Sequence, residues 1–234
     1  MNIQNLEMKF QIEESAAGDA AEERFFRICS FNLAEAGQRK METAAYRVRT
    51  HLQQRMDIRA TVRFWERPVL TDTRLQLDDV ALCCDAFSRI PADAVKGVFA
   101  YLLTIGDTGM EEEVSIMTEL YHDVWGTAYV ESAMEVLRKR LLQALPAENL
   151  HLSESLGPGY YGMTMEEGAK IYGLLDGMTI GVEQKSSGLL MPEKSCQGLI
   201  LVYDRDDIRM PRACESCLGA KAGCLFCDKR NVKE

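Results

Sequence analysis

Between Asp19 and Met56 the apolar residues recur at threes and fours: Phe25, Phe26, Cys29, Leu33, Ala36, Met41, Ala44, Ala45, Val48 and Leu52. That spacing fits the 3.6-residue helical period, with charges on the opposite face. Gly37 predicts a break, so the stretch reads as a pair of core-packing helices. The period then changes to two. Ala60 to Leu70 alternates, with Val62 and Phe64 facing inward and Arg63 and Trp65 outward, until Pro68. Leu75 to Cys84 and Gly97 to Ile105 also read as strands. The second is almost wholly apolar, which predicts a place at the centre of a sheet.

Ile105-Gly106-Asp107-Thr108-Gly109 reads as a turn, and Met110 to Leu145 as a long helix ended by Pro146. Val114, Met117, Tyr121, Val124 and Ala128 form one stripe, which continues onto Glu131. Val130, Met134, Leu137 and Leu141 lie on a rotated face, and Gly126 marks a bend or a change of neighbours. A shorter helix follows at Met165 to Leu175, then strands at Met178 to Glu183 and Gly198 to Tyr203. Helices and strands come in mixed order without a βαβ rhythm. The expected fold class is therefore α+β with a largely antiparallel sheet flanked by helices.

Composition narrows the function. Of 234 residues 47% are hydrophobic, enough for a substantial core. Lys and Arg number 27 against 36 Asp and Glu, a net charge of −9, which disfavours binding to nucleic-acid backbone. The longest apolar run, Gly97 to Ile105, is far short of the ~20 residues of a membrane span. Met1 to Phe10 lacks the apolar core of a signal peptide, so the expected compartment is the cytoplasm. There cysteines stay reduced, and Cys29, Cys83, Cys84 and Cys196 are expected to be buried free thiols.

Four features carry candidate chemistry. Gly157-Pro158-Gly159-Tyr160-Tyr161-Gly162 fixes a tight backbone that can approach a ligand and offer N–H groups to it; the plainer reading is a strand-to-helix loop. Glu131 reads either as a ligand-facing acid or as a helix edge reaching solvent. His51, His122 and His151 form no catalytic set: Tyr121-His122-Asp123 places neighbours on different helix faces. Cys214-x-x-Cys217-x6-Cys224-x-x-Cys227 supplies four thiolates in two pairs, suited to tetrahedral zinc or an iron–sulfur cluster. A reduced tail or a redox pair is the alternative.

Taken together, these residues resemble the activation (reactivation) domain of cobalamin-dependent methionine synthase, in the free-standing form found in some bacteria. Leu103 to Glu111 is similar to its strand-to-helix turn, and Ala128 to Ala133 to the middle of its long helix. Gly157-Pro158-Gly159-Tyr160 is similar to its Pro-Gly-Tyr loop, and Ser187 through Gly198 to the strand-turn-strand that follows. The resemblance implies one C-shaped α+β domain. Residues 1–95 would be its N-terminal helical and strand part, 96–204 its core, and 205–234 a cysteine-rich metal-binding tail. It implies S-adenosylmethionine as ligand, cobalamin carried by a partner protein, and a flavin protein as reductase. By position, Glu131 would meet the ligand's polar groups, Gly157, Pro158 and Gly159 its backbone contacts, and Tyr160 the corrin.

One position departs from the family pattern. Three residues before Pro-Gly-Tyr the family carries an arginine that pairs with the ligand carboxylate; this chain has Ser155. Losing such a pair costs about 1.5–3 kcal/mol, or roughly ten- to a hundredfold in affinity. Arg205 and Lys185 are candidate replacements. The expected function is an accessory role in reductive activation of a corrinoid methyltransferase, with S-adenosylmethionine as methyl donor. The alternative is a metal-stapled corrinoid-protein-binding or iron–sulfur redox module that no longer binds that ligand.

Overall fold

A computed structural model of the protein describes residues 7–31, 36–109, 115–146 and 149–208. Strand β1 (Glu7–Ile12) leads into helices α1 (Glu14–Cys29) and α2 (Ala36–Arg55). Strands β2 (Ile58–Glu66), β3 (Val69–Thr71), β4 (Arg74–Leu77), β5 (Val80–Cys83) and β6 (Val95–Thr104) follow. Helix α3 (Ile116–Ala144), the short strand β7 (His151–Leu152) and helix α4 (Met165–Leu174) come next. The chain continues through the two-residue strands β8 (Glu183–Gln184) and β9 (Leu190–Met191) to β10 (Ser195–Tyr203).

The main sheet has the order β1-β2-β6-β10-β7, and every pairing is antiparallel. The fold is thus α+β, and β6 takes the centre, as its apolar run predicts. Along β6 the side chains alternate between two cores. Phe99, Tyr101 and Leu103 join the core under α1, α2 and α3. Val98, Ala100 and Leu102 join a second core made with β3 to β5 and α4. Covering both faces explains Trp65. It does point away from Val62 and Phe64, but into the second core rather than to water, and it is only 5% exposed.

In the first core, the ring of Phe25 on α1 stacks on that of Trp125 on α3 with centroids 3.9 Å apart. The indole N–H of Trp125 donates to the Ala45 carbonyl on α2 at 3.0 Å, so one aromatic residue ties three helices. No described helix is long and apolar enough to cross a membrane.

Several local expectations are corrected. Leu75 to Cys84 is a hairpin, not one strand: Asp78 adopts φ 49° and the chain turns back from β4 to β5. Gly177–Ile180 is a 3-10 turn closed by Gly181 at φ 68°, so of the strand expected at Met178 to Glu183 only Glu183 is extended, as the first residue of β8. Helix α3 starts at Ile116, where Ser115 Oγ accepts from the Thr118 N–H at 3.2 Å; residues 110–114, with Val114 of the stripe and Glu111, lie outside the described residues. Leu33 also lies outside them. Cys84 is buried and Cys29 and Cys196 partly so, but Cys83 is exposed, because side chains alternate along the strand and its neighbours Leu82 and Cys84 are the ones turned into the core.

Candidate functional site

Three segments distant in sequence close around one cleft of about 890 Å³. Helix α3 supplies one wall, through Glu131, Glu135 and Arg138; the loop before α4 supplies Ser155, Gly157, Pro158 and Tyr160. The segment from Gly188 to Gln197 completes it.

The loop is held by the edge of β10. The Leu156 N–H donates to the Leu199 carbonyl at 2.9 Å, and the Leu199 N–H returns the bond at 2.8 Å. This approach is close enough that a Cβ on Gly198 would lie 2.6 Å from the Leu156 carbonyl oxygen, so only glycine fits there. The chain then reverses at Gly159, which has φ 86°. The Gly159 N–H donates to the Met163 carbonyl at 2.9 Å, and the Tyr160 N–H to the Gly157 carbonyl at 3.1 Å. Gly157, Pro158 and Tyr160 therefore face the cleft. Gly159 shapes the turn behind it, with its N–H already bonded. Tyr160 stands at the rim, 56% exposed.

The floor is neutral. The Tyr101 hydroxyl is hydrogen-bonded to Ser155 Oγ. Burial pushes the Tyr101 phenol far above its usual range and the neighbouring Cys196 thiol up to about 12. Gln197 is buried beside them, and its Oε1 accepts from no protein donor. Charge is confined to the walls. Glu131 lies on α3 with its side chain 55% exposed, and Arg24 Nε approaches its carboxylate at 3.4 Å. Arg24 also binds Glu135 and donates to Ser132 Oγ at 3.2 Å. The carboxylate of Glu131 thus sits at the cleft wall while its charge is balanced from α1.

On the opposite side, Lys194 Nζ donates to Asp123 Oδ1 at 2.6 Å and to Thr127 Oγ1 at 3.2 Å. Its stem crosses α3 at Gly126, where a Cβ would meet Lys194 Cε at 2.8 Å. The glycine in the middle of α3 therefore admits the lysine that clasps the β9–β10 segment to the helix. A second cavity of about 800 Å³ lies alongside, between the Gly106 to Gly109 turn and the same segment.

The two candidate replacements for the missing arginine are elsewhere. Arg205 pairs with Asp93 at 2.7 Å and Lys185 with Glu183 at 3.1 Å, and neither lines the cleft. The cation beside Ser155 is Arg138, one helix turn beyond Glu135, which sequence reasoning passed over inside the Arg138-Lys139-Arg140 run. Its spacing of seven from Glu131, two helical turns, was the available signal. The histidines stay apart: His122 Nε2 is 3.2 Å from the Thr108 carbonyl, and His151 stacks on Tyr203. Among the described residues no three His, Cys, Asp or Glu side chains converge as a metal site. Cys214, Cys217, Cys224 and Cys227 lie outside the described residues.

No protein-family model matches this sequence, and no curated protein does. A solved structure does match in fold: the crystal structure of the MetH reactivation domain bound to AdoHcy, with a TM-score of 0.69. The match covers 88% of this chain and 81% of the other, at 12% identity. This chain has the fold of the MetH reactivation domain. The shared architecture agrees with the α+β expectation, and at this identity it is the fold that the two have in common. In that structure the MetH domain is bound to AdoHcy.

Proposed function

We propose that this chain assists the reductive activation of a corrinoid-dependent methyltransferase, and that its cleft binds S-adenosylmethionine. The observation that carries this reading is the cleft itself. Glu131, the Ser155 to Tyr160 loop and the Gly188 to Gln197 segment converge on one cavity, in a fold shared with a domain that binds AdoHcy. The cavity is of a size suited to a nucleoside ligand, and it combines a neutral floor with charged walls. The chemistry belongs to the cofactors: an electron comes from a reductase and a methyl group from S-adenosylmethionine. The protein binds and orients.

In this reading Glu131 accepts hydrogen bonds from the ligand, and Gly157 and Pro158 let it approach the backbone. The rim would meet the corrin-bearing partner. Tyr160, Met165 and Leu189 are exposed there at 56%, 49% and 63%, an apolar edge beside the cleft mouth. In the cysteine tail, Cys214, Cys217, Cys224 and Cys227 would hold zinc or an iron–sulfur cluster.

A second reading keeps the partner and discards the ligand. It is favoured by Ser155, which is neutral and bonded to Tyr101. An anaerobic assay separates the two. A methionine synthase lacking its own activation domain is held as cob(II)alamin with a reductant, and recovery of the methylated form is followed by absorbance. The first reading expects recovery that needs both this protein and S-adenosylmethionine, reduced at least tenfold in a folded Tyr160→Ala variant. Recovery independent of S-adenosylmethionine supports the second reading; no effect of the protein at all contradicts both.

A further inference from the structure

Three cations line the cleft, and they are not equivalent. Arg24 is matched by Glu131, Glu135 and Ser132. Lys194 is paired with Asp123 at 2.6 Å and bonded to Thr127 at 3.2 Å. Arg138 is poorly satisfied. Its Nη1 reaches Glu154 Oε2 only at 3.4 Å, its Nη2 reaches the Leu152 carbonyl at 3.5 Å, and its buried Nε has no acceptor. Both bonds sit at the outer limit of useful geometry. The guanidinium is held in place but has donor capacity left over, and its side chain is 29% exposed.

Its position is as informative as its bonding. Arg138 lines the same cleft as Tyr101 and Ser155, and its Nη1 reaches Glu154, the residue next to Ser155. The spot that Ser155 leaves uncharged therefore receives a cation from α3 instead of from the loop. A guanidinium presents two parallel N–H groups that match a carboxylate, and its competitor Glu154 is 60% exposed and weakly engaged.

We infer that Arg138 is the specificity-determining cation of the cleft and binds the carboxylate of an amino-acid-bearing nucleoside. This rests on the reading of the cleft as an S-adenosylmethionine site. It adds that the residue distinguishing carboxylate-bearing from decarboxylated ligands lies on α3. The ligand's carboxylate displaces the long contact to Glu154 and takes the unspent donors.

The test compares two probes, S-adenosylmethionine and decarboxylated S-adenosylmethionine, by calorimetry on the full chain. They share the nucleoside, the sulfonium and the amine, and differ only in the carboxylate. The wild type is expected to prefer the first by roughly ten- to a hundredfold. Arg138→Ala should abolish that preference by weakening the first alone; Arg138→Lys should restore part of it. Glu154→Gln, which removes the competing carboxylate, should raise the preference a few-fold, and this exposed change keeps the test decisive if Arg138→Ala does not fold. A wild type that binds both probes equally, or a preference that survives Arg138→Ala, overturns the assignment while leaving the cleft as a nucleoside site. Equal weakening of both probes makes Arg138 merely structural and also overturns it. A wild type that binds neither probe removes both this inference and the reading beneath it.

Discussion

At Cys196 a thiol that looks reactive by its place in a cleft is made inert by its surroundings. Burial raises it from an ordinary 9.0 to about 12, so it stays protonated at neutral pH and cannot act as a nucleophile. A group whose folded value is raised contributes stability that is complete below its unfolded value and lost as pH rises through the folded one. For Cys196 that window runs from pH 9 to about 12. Thermal melts should therefore show stability falling across this window in the wild type and falling less steeply in Cys196→Ala. Identical slopes would show that the thiol is not buried as described. Tyr101 beside it is shifted in the same direction by the same cause, so part of the alkaline loss will remain in the variant.

Among elements, the β8–β9 hairpin and the start of β10 are held to β6 by the pairing of Ser195 with Thr104 and to α3 by one lysine. Lys194 bridges them to Asp123 and Thr127 on α3, across the gap that Gly126 leaves. Asp123 is 65% exposed, so the ion pair contributes only about 0–1 kcal/mol to global stability. Its effect is local. Lys194→Met should leave the melting temperature within a few degrees of wild type, yet speed hydrogen exchange across residues 183–195 relative to β6. Unchanged exchange there would mean that the sheet, and not the clasp, fixes the cleft wall. The long elements were legible in the sequence: α1, α2 and α3 carry apolar residues at the helical period, and β6 is a nearly continuous apolar run. The hairpins were not. The two-residue strands β8 and β9 are too short to carry a pattern, and Met178 to Glu183 alternates apolar with polar or small residues like a strand although Gly181 turns the chain there. Of the cleft, Glu131 and the Gly157 to Tyr160 loop were visible. Arg138 was not: its spacing of seven from Glu131 was the one signal, and inside a charged run that spacing does not point to a site until the fold places the residue in the cleft.

Across the whole molecule, β6 and β10 are buried on both faces, so the cleft is built on a part of the sheet that cannot easily shift. The rigid part brings the ligand-facing groups together, and the exposed apolar rim is left for a partner. The cysteine tail adds a separate expectation. If it holds metal, Cys214→Ser and Cys224→Ser in the full chain should each lower the bound zinc or iron measured after anaerobic purification, without altering the melting of the folded core. Metal content unaffected by both changes would contradict a four-thiolate site.

The central claim is that the cleft takes S-adenosylmethionine, and calorimetric titration of that ligand into anaerobically purified full-length protein tests it most directly. Saturable binding in the micromolar range, weakened at least tenfold by Glu131→Ala, is the predicted result. Absence of binding up to millimolar ligand would contradict it, and would leave a corrinoid-protein partner whose chemistry lies outside this cleft.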